Sequence, residues 1–303
     1  MLYDRVVISE GQSDGDHRKH DSEATSSVAL ATAHELADPL KLAAVSAFLQ
    51  PWRWMFSPVF HGLENIPDER PLLFVGNHTL YGLIDIPLLF DEIWNRRRIL
   101  LRGLADRGHY QIPVWRDLLT SVGAVLGTRE NCATLMRNGE AIVVFPGGAR
   151  EVFKRRTEKY KLLWKERLGF AKIAVEHGCT VIPFASVGVE DAYDILLDKD
   201  DYLATPLGRL AAWLGMREDA MMPIARGIGP TPIPRPARIY FRILPPIHTG
   251  TYGGAAGGAD AAMDLRDRTH DAIERGIAEL RDEQGHDPKA VRFSTIFGPL
   301  AKD

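Results

Sequence analysis

Between Pro71 and Leu244, short apolar and β-branched runs alternate with longer stretches of helical periodicity, and this alternation most restricts what the chain can become. Residues 72–75, 99–104, 141–145, 180–187 and 238–244 read as strands, and 87–97, 115–122, 131–138, 162–177, 202–214 and 261–283 as helices. Strands separated by helices predict an α/β fold: a single domain with a mainly parallel sheet flanked by helices. A length of 303 residues with 45% hydrophobic content supplies a core of that size. The proline- and glycine-rich segments 222–236 and 248–258 read as loops within the domain.

Ahead of this pattern, residues 1–27 are polar and charged and read as a mobile acidic tail. Residues 28–60 form an N-terminal helical segment in which Trp52, Arg53 and Trp54 follow Pro51. Two readings stay open: an element lying in a membrane interface, where indole rings prefer a half-wet position, or a lid packed on the core. Residues 61–303 make the α/β domain. No apolar run approaches the ~20 residues a bilayer-spanning helix needs, and no basic, apolar leader opens the chain.

Two of the strands run into glycine-rich segments, GNHTLYGLID (76–85) and VVFPGGARE (143–151). His78 falls at the carboxyl end of a strand, the edge where open α/β sheets bind ligands. A neutral imidazole there can take a proton from an attacking hydroxyl, and a carboxylate is needed to hold the imidazolium; Asp85 is the nearest downstream candidate. In the second segment Gly147 and Gly148 allow close backbone approach, and Arg150 offers a fork for an anion. From the residues alone a plainer reading stays open: His78 as a polar turn residue, Asp85 as a helix cap, and Pro146-Gly147-Gly148 as a turn ending a strand.

In this order, with HGLENIP (61–67) upstream, the segments resemble the glycerolipid acyltransferase family, which moves a fatty acyl group from a thioester onto a hydroxyl. The likeness runs from His61 to about Gly188 and includes GAVLGTRE (123–130), whose Arg129 matches a family arginine, and VIPFASVG (181–188). It implies a glycerol-3-phosphate acyltransferase-like fold, His78 and Asp85 as the catalytic pair, and substrate contacts by Arg129, Gly147, Gly148, Arg150 and Glu151. Two departures stand out. The family spaces its His and Asp by four residues, whereas Leu83 occupies that position and Asp85 follows it. On a continuous helix seven residues span ~10.5 Å, so a His78–Asp85 dyad needs a bent chain. The family block FPEGTRS has Glu where this chain has Gly147, a form that resembles the diacylglycerol acyltransferase-like branch.

The expected function is therefore O-acyl transfer in lipid metabolism, from acyl-CoA or acyl carrier protein as co-substrate, with no other cofactor and no metal. The acceptor is either a neutral glyceride or alcohol, or a lysophospholipid. The alternative is a non-catalytic lipid-binding protein of the same fold. Net charge is −3, but residues 1–38 carry −5 of it, leaving +2 for the rest, which makes no case for nucleic acid. The local excess of basic residues at 150–167 suits coenzyme A phosphates, an acidic carrier protein or lipid headgroups, and equally a solvated helix face. Two cysteines outside any ligand spacing suit a reducing compartment. The expected location is the cytoplasm, peripherally on the inner face of the cell membrane.

Overall fold

A computed structural model describes residues 36, 38–111, 113–213, 222–253 and 258–290. The expected acidic tail, 1–27, lies outside the described residues. The strands are β1 (Val59–His61), β2 (Leu72–Gly76), β3 (Leu101–Ala105), β4 (Val125–Leu126), β5 (Ala141–Val144), β6 (Thr180–Val187), β7 (Asp194–Leu197), β8 (Ile224–Arg226), β9 (Tyr240–Ile243) and β10 (Ile247–His248). The helices are α1 (Pro39–Phe48), α2 (Gln50–Phe56), α3 (Asp85–Arg97), α4 (Arg107–Tyr110), α5 (Pro113–Ser121), α6 (Arg129–Arg137), α7 (Ala149–Val152), α8 (Gly169–His177), α9 (Lys199–Ala204), α10 (Pro206–Trp213) and α11 (Gly258–His286).

One sheet runs in the order β1-β9-β6-β2-β5-β3-β4, with β10 also paired to β6. The stretch from β6 to β4 is parallel, as the alternation predicts. At the other end β9 and β10 run antiparallel to β6, and β1 lies parallel to β9. Because side chains alternate across a strand, β2 sends Leu73 and Val75 to one face and Leu72 and Phe74 to the other. The first face packs on α6, α8 and α11 through residues such as Leu135, Ile173 and Ile277. The second packs on α3 and the end of α2 through Leu88, Ile93 and Phe56. Helices on both faces explain why every residue of β2, β5 and β6 is buried.

Several elements differ from their expected bounds for identifiable reasons. The pattern at 162–177 becomes helical only from Gly169, because the chain before it is bound elsewhere: Leu163 N donates to Glu151, and Lys165 takes a positive φ of 51°. The 202–214 pattern splits into α9 and α10 at Thr205, whose extended backbone suits the residue before Pro206. The segment 222–236 contains a strand, β8, which pairs antiparallel with β7 away from the main sheet. Short edge strands β1, β4 and β10 also lacked a sequence signal; at two or three residues they carry too little pattern to read. Residues 59–61 join the sheet, so the boundary expected at 60/61 cuts through β1.

Candidate active site

β2 and β5 pair in register up to Val75 and Val144, so the two glycine-rich segments leave neighbouring strands at the same level. Asn77 then stitches the end of β2 to β6. Its side chain donates to the Ser186 carbonyl (2.9 Å) and accepts from the Ser186 N–H (2.8 Å), continuing the ladder where main-chain pairing stops. His78 emerges from this fixed base.

The chain after His78 does not enter a helix directly. Leu80–Gly82 make a single 3-10 turn with Tyr81 (φ 62°) and Gly82 (φ 61°) in left-handed backbone, and α3 begins only at Asp85. The chain is thus bent between His78 and Asp85. The bend brings the buried Asp85 carboxylate back to the start of the loop, where it accepts from the Thr79 hydroxyl at 2.8 Å. Burial pushes the Asp85 carboxyl above its ordinary range, with the Thr79 bond opposing the shift. The His78 ring lies against Phe145 with ring centroids 4.2 Å apart and planes 24° from parallel. Gly82 also lies against the ring, and a Cβ there would overlap the imidazole Cε1. The imidazole thus sits between an aromatic face from the second segment and a glycine from its own.

In the second segment Pro146 and the two glycines turn the chain into α7, which packs on the Leu80–Gly82 turn. Glu151 lies fully buried beneath that turn. Its two oxygens accept from two backbone donors, His78 N at 2.7 Å and Leu163 N at 2.8 Å. Burial raises the Glu151 carboxyl, opposed by the Lys154 charge and by these two N–H groups. Gly147 has no choice of side chain here, since a Cβ would overlap the Glu151 side chain. The departure at position 147 therefore has a steric counterpart four residues on. Arg167 braces the outside of the turn by donating to the carbonyls of Pro146 (2.7 Å) and Gly147 (3.0 Å).

The other expected substrate contacts are dispersed. Arg150 lies in α7, half-buried. Arg129 opens α6 and reaches α8, pairing with Glu176 at 2.6 Å. Four of the eight basic residues at 150–167 are engaged by the chain's own carboxylates: Lys154 is buried against Glu190 (2.7 Å), Arg155 meets Asp200 (3.1 Å), Arg156 meets Asp201 (2.5 Å) and Lys159 meets Asp191 (3.0 Å). Sequence reasoning missed Thr79, Gly82 and Arg167 as site residues. Thr79 and Gly82 lay inside the motif, but their partners are set by the bend; Arg167 was one cation among many.

On the second face of the sheet, the two N-terminal helices differ in how much they bury. α2 is clamped to α3 by Arg53, which bonds Asp91 (2.6 Å) and Glu92 (2.9 Å), and it buries Phe56. α1 buries none of its residues and leaves Leu40 and Phe48 about four-fifths exposed, at 83% and 77%.

Residues 57–187 match the family model described as Acyltransferase. Phytyl ester synthase 1, chloroplastic, from Arabidopsis thaliana is 29% identical over 247 residues, covering 76% of this chain and 35% of that protein. The human DGAT1/2-independent enzyme synthesizing storage lipids is 30% identical over 133 residues, covering 44% of this chain and 40% of that protein. The chain thus spans about a third of the length of the plant relative. Among solved structures, the 1-acyl-sn-glycerophosphate acyltransferase PlsC from Thermotoga maritima matches with a TM-score of 0.51 and 21% identity, over 81% of this chain and 84% of that one. This likeness is one of fold.

Proposed function

We propose that this chain, whose residues 57–187 carry an acyltransferase domain, esterifies a lipid hydroxyl with a fatty acyl group carried as a thioester on coenzyme A or acyl carrier protein. The observation that carries the reading is the seating of His78 at the carboxyl end of β2, with the chain bent so that Asp85 returns to Thr79 beside it. In this reading the imidazole takes the proton of the acceptor hydroxyl as its oxygen attacks the thioester carbonyl. The resulting oxyanion is met by the Gly147 N–H of the Pro146-Gly147-Gly148 turn, whose Gly148 N–H is taken by the Phe145 carbonyl at 2.9 Å. Collapse breaks the C–S bond, and the imidazolium returns the proton to the departing thiolate, so that ester and free thiol leave. Asp85 stabilises the imidazolium between these two transfers. Arg150 holds an anionic part of the donor, while Arg129 is engaged by Glu176.

The acceptor favoured is a neutral one, a long-chain alcohol or glyceride. Three observations support this: Gly147 offers no side chain, Glu151 turns inward, and Arg129 is already engaged by Glu176. The names of the plant and human relatives, a phytyl ester synthase and an enzyme synthesizing storage lipids, point the same way. Supplying radiolabelled long-chain acyl-CoA or acyl carrier protein with alcohols, glycerides and lysophospholipids tests the reading. Ester on the neutral acceptors, reduced at least about 10³-fold in His78→Ala, is expected. Lipid binding without turnover on any acceptor would favour a non-catalytic lipid binder instead.

A peripheral contact with membrane belongs to the same proposal. Among the described residues no helix is long and apolar enough to cross a membrane. The apolar side chains of Leu40, Phe48 and Trp54 nevertheless face solvent on α1 and α2. Co-sedimentation with anionic vesicles should fall when Phe48 and Trp54 are replaced by Ser; wild-type protein left wholly in the supernatant refutes the contact.

A further inference from the structure

We propose that Glu151 is a positioning residue for the His78 base, and that Gly147 is glycine to leave room for its carboxylate. The inference rests on the acyl-transfer reading above for its kinetic test, but its argument is geometric. Glu151 Oε2 accepts the main-chain N–H of His78 at 2.7 Å, and Oε1 accepts that of Leu163 at 2.8 Å. The residue therefore joins three segments far apart in sequence: the loop after β2, the helix α7 after β5, and the irregular stretch leading to α8. Each of these carries part of the site.

Two donors arriving from two directions call for a group that accepts at both ends and donates at neither. An ionised carboxylate is such a group; a glutamine presents one oxygen and one NH2 and leaves one N–H facing another donor. Placing a carboxylate where it is fully buried is costly, and the cost is tolerable because both oxygens are bonded and the Lys154 ammonium lies close enough to act on it. The same carboxylate occupies the volume a Cβ on Gly147 would take. The imidazole is confined by Phe145 and Gly82, so its aim depends on where the His78 main chain is held. Glu151 supplies that hold from the neighbouring strand's loop.

Glu151→Gln, Glu151→Ala, Gly147→Ala and the double Gly147→Ala/Glu151→Ala variant test this in the full chain, with Tm, kcat and acceptor KM measured for each. A displaced base loses turnover without losing acceptor affinity. We expect kcat to fall about 10- to 100-fold in Glu151→Ala, less in Glu151→Gln, with KM changed less than about twofold. Gly147→Ala should resemble Glu151→Ala, and the double variant should be no slower than Glu151→Ala alone, because the new methyl enters space already vacated. Any of these variants that folds with wild-type kcat overturns the inference, as does a double variant whose loss is the product of the two single losses. If Glu151→Ala does not fold, Glu151→Gln and Gly147→Ala carry the same comparison. Wild-type protein inactive on every acceptor defeats the functional reading alone. The His78 backbone amide proton then decides this inference: it should resonate downfield in wild type and move upfield in Glu151→Gln, and an unmoved resonance overturns it.

Discussion

The loop after β2 and the loop after β5 leave adjacent, fully buried strands at one level, and each carries a buried carboxylate a few residues on. They use it in opposite ways. Asp85 turns back on its own loop and accepts from Thr79, six residues earlier, so its placement follows from a local bend. Glu151 accepts from His78, 73 residues away, and so ties one loop to the other. The first arrangement holds the start of α3 against its own loop; the second sets the main chain from which the imidazole projects. A carboxylate bonded to a hydroxyl can change its proton state with little rearrangement. One bonded to two N–H groups cannot take a proton without giving up an acceptor position.

The sharpest test of this contrast is Asp85→Asn. The amide oxygen can still accept from Thr79, so the fold should persist, while the charge that the proposed mechanism uses to steady an imidazolium is gone. We expect kcat to fall about 10²-fold with Tm changed by only a few degrees. Unchanged kcat would reduce Asp85 to a helix-start residue and leave Glu151 as the carboxylate that matters.

Gly82→Ala should act less strongly, about tenfold on kcat. Its methyl overlaps His78 Cε1 and must be carried at φ 61°, a left-handed backbone costing roughly 1–2 kcal/mol for a residue with a Cβ. Retained activity together with lost stability would show that the imidazole has room to swing away, contrary to the clamped geometry.

The smallest expected effect is on stability as pH changes. Burial raises both Asp85 and Glu151 above the usual carboxylate range near ~4, so between that range and the raised values the folded chain binds more protons than the unfolded chain. The stability tied to the protonated forms is fully present below the ordinary value and is lost as pH rises through the raised ones. In urea titrations across that window, Asp85→Asn/Glu151→Gln should show a flatter decline than wild type. Identical slopes would mean that neither group takes up its proton preferentially on folding.

Much of the fold could be read from particular runs. The strand expected at 180–187 is β6 to the residue, since eight buried positions bounded by Gly178 and Gly188 leave little freedom. The run at 72–75 became β2 with only Gly76 added. By contrast 162–168 has apolar residues at helical spacing and is not helical, because Leu163 N is claimed by Glu151 from outside the segment. The basic run at 150–167 shows the same limit. Its charges were plain, but the carboxylates at 190–201 that engage several of them come from another part of the chain.

Local pattern by itself determined the alternating strands and helices, the placement of His78 at a strand end, and the two glycine turns beside it. These depend on side-chain periodicity and backbone freedom within a few residues. Only the tertiary structure decided that the chain bends at Tyr81 and Gly82, that Asp85 returns to Thr79, and that Glu151 faces inward to hold His78 and requires Gly147. Those outcomes depend on which donors and which volumes distant segments bring to the same point. A buried carboxylate commits to its partners only when folding has removed the water that would otherwise serve it.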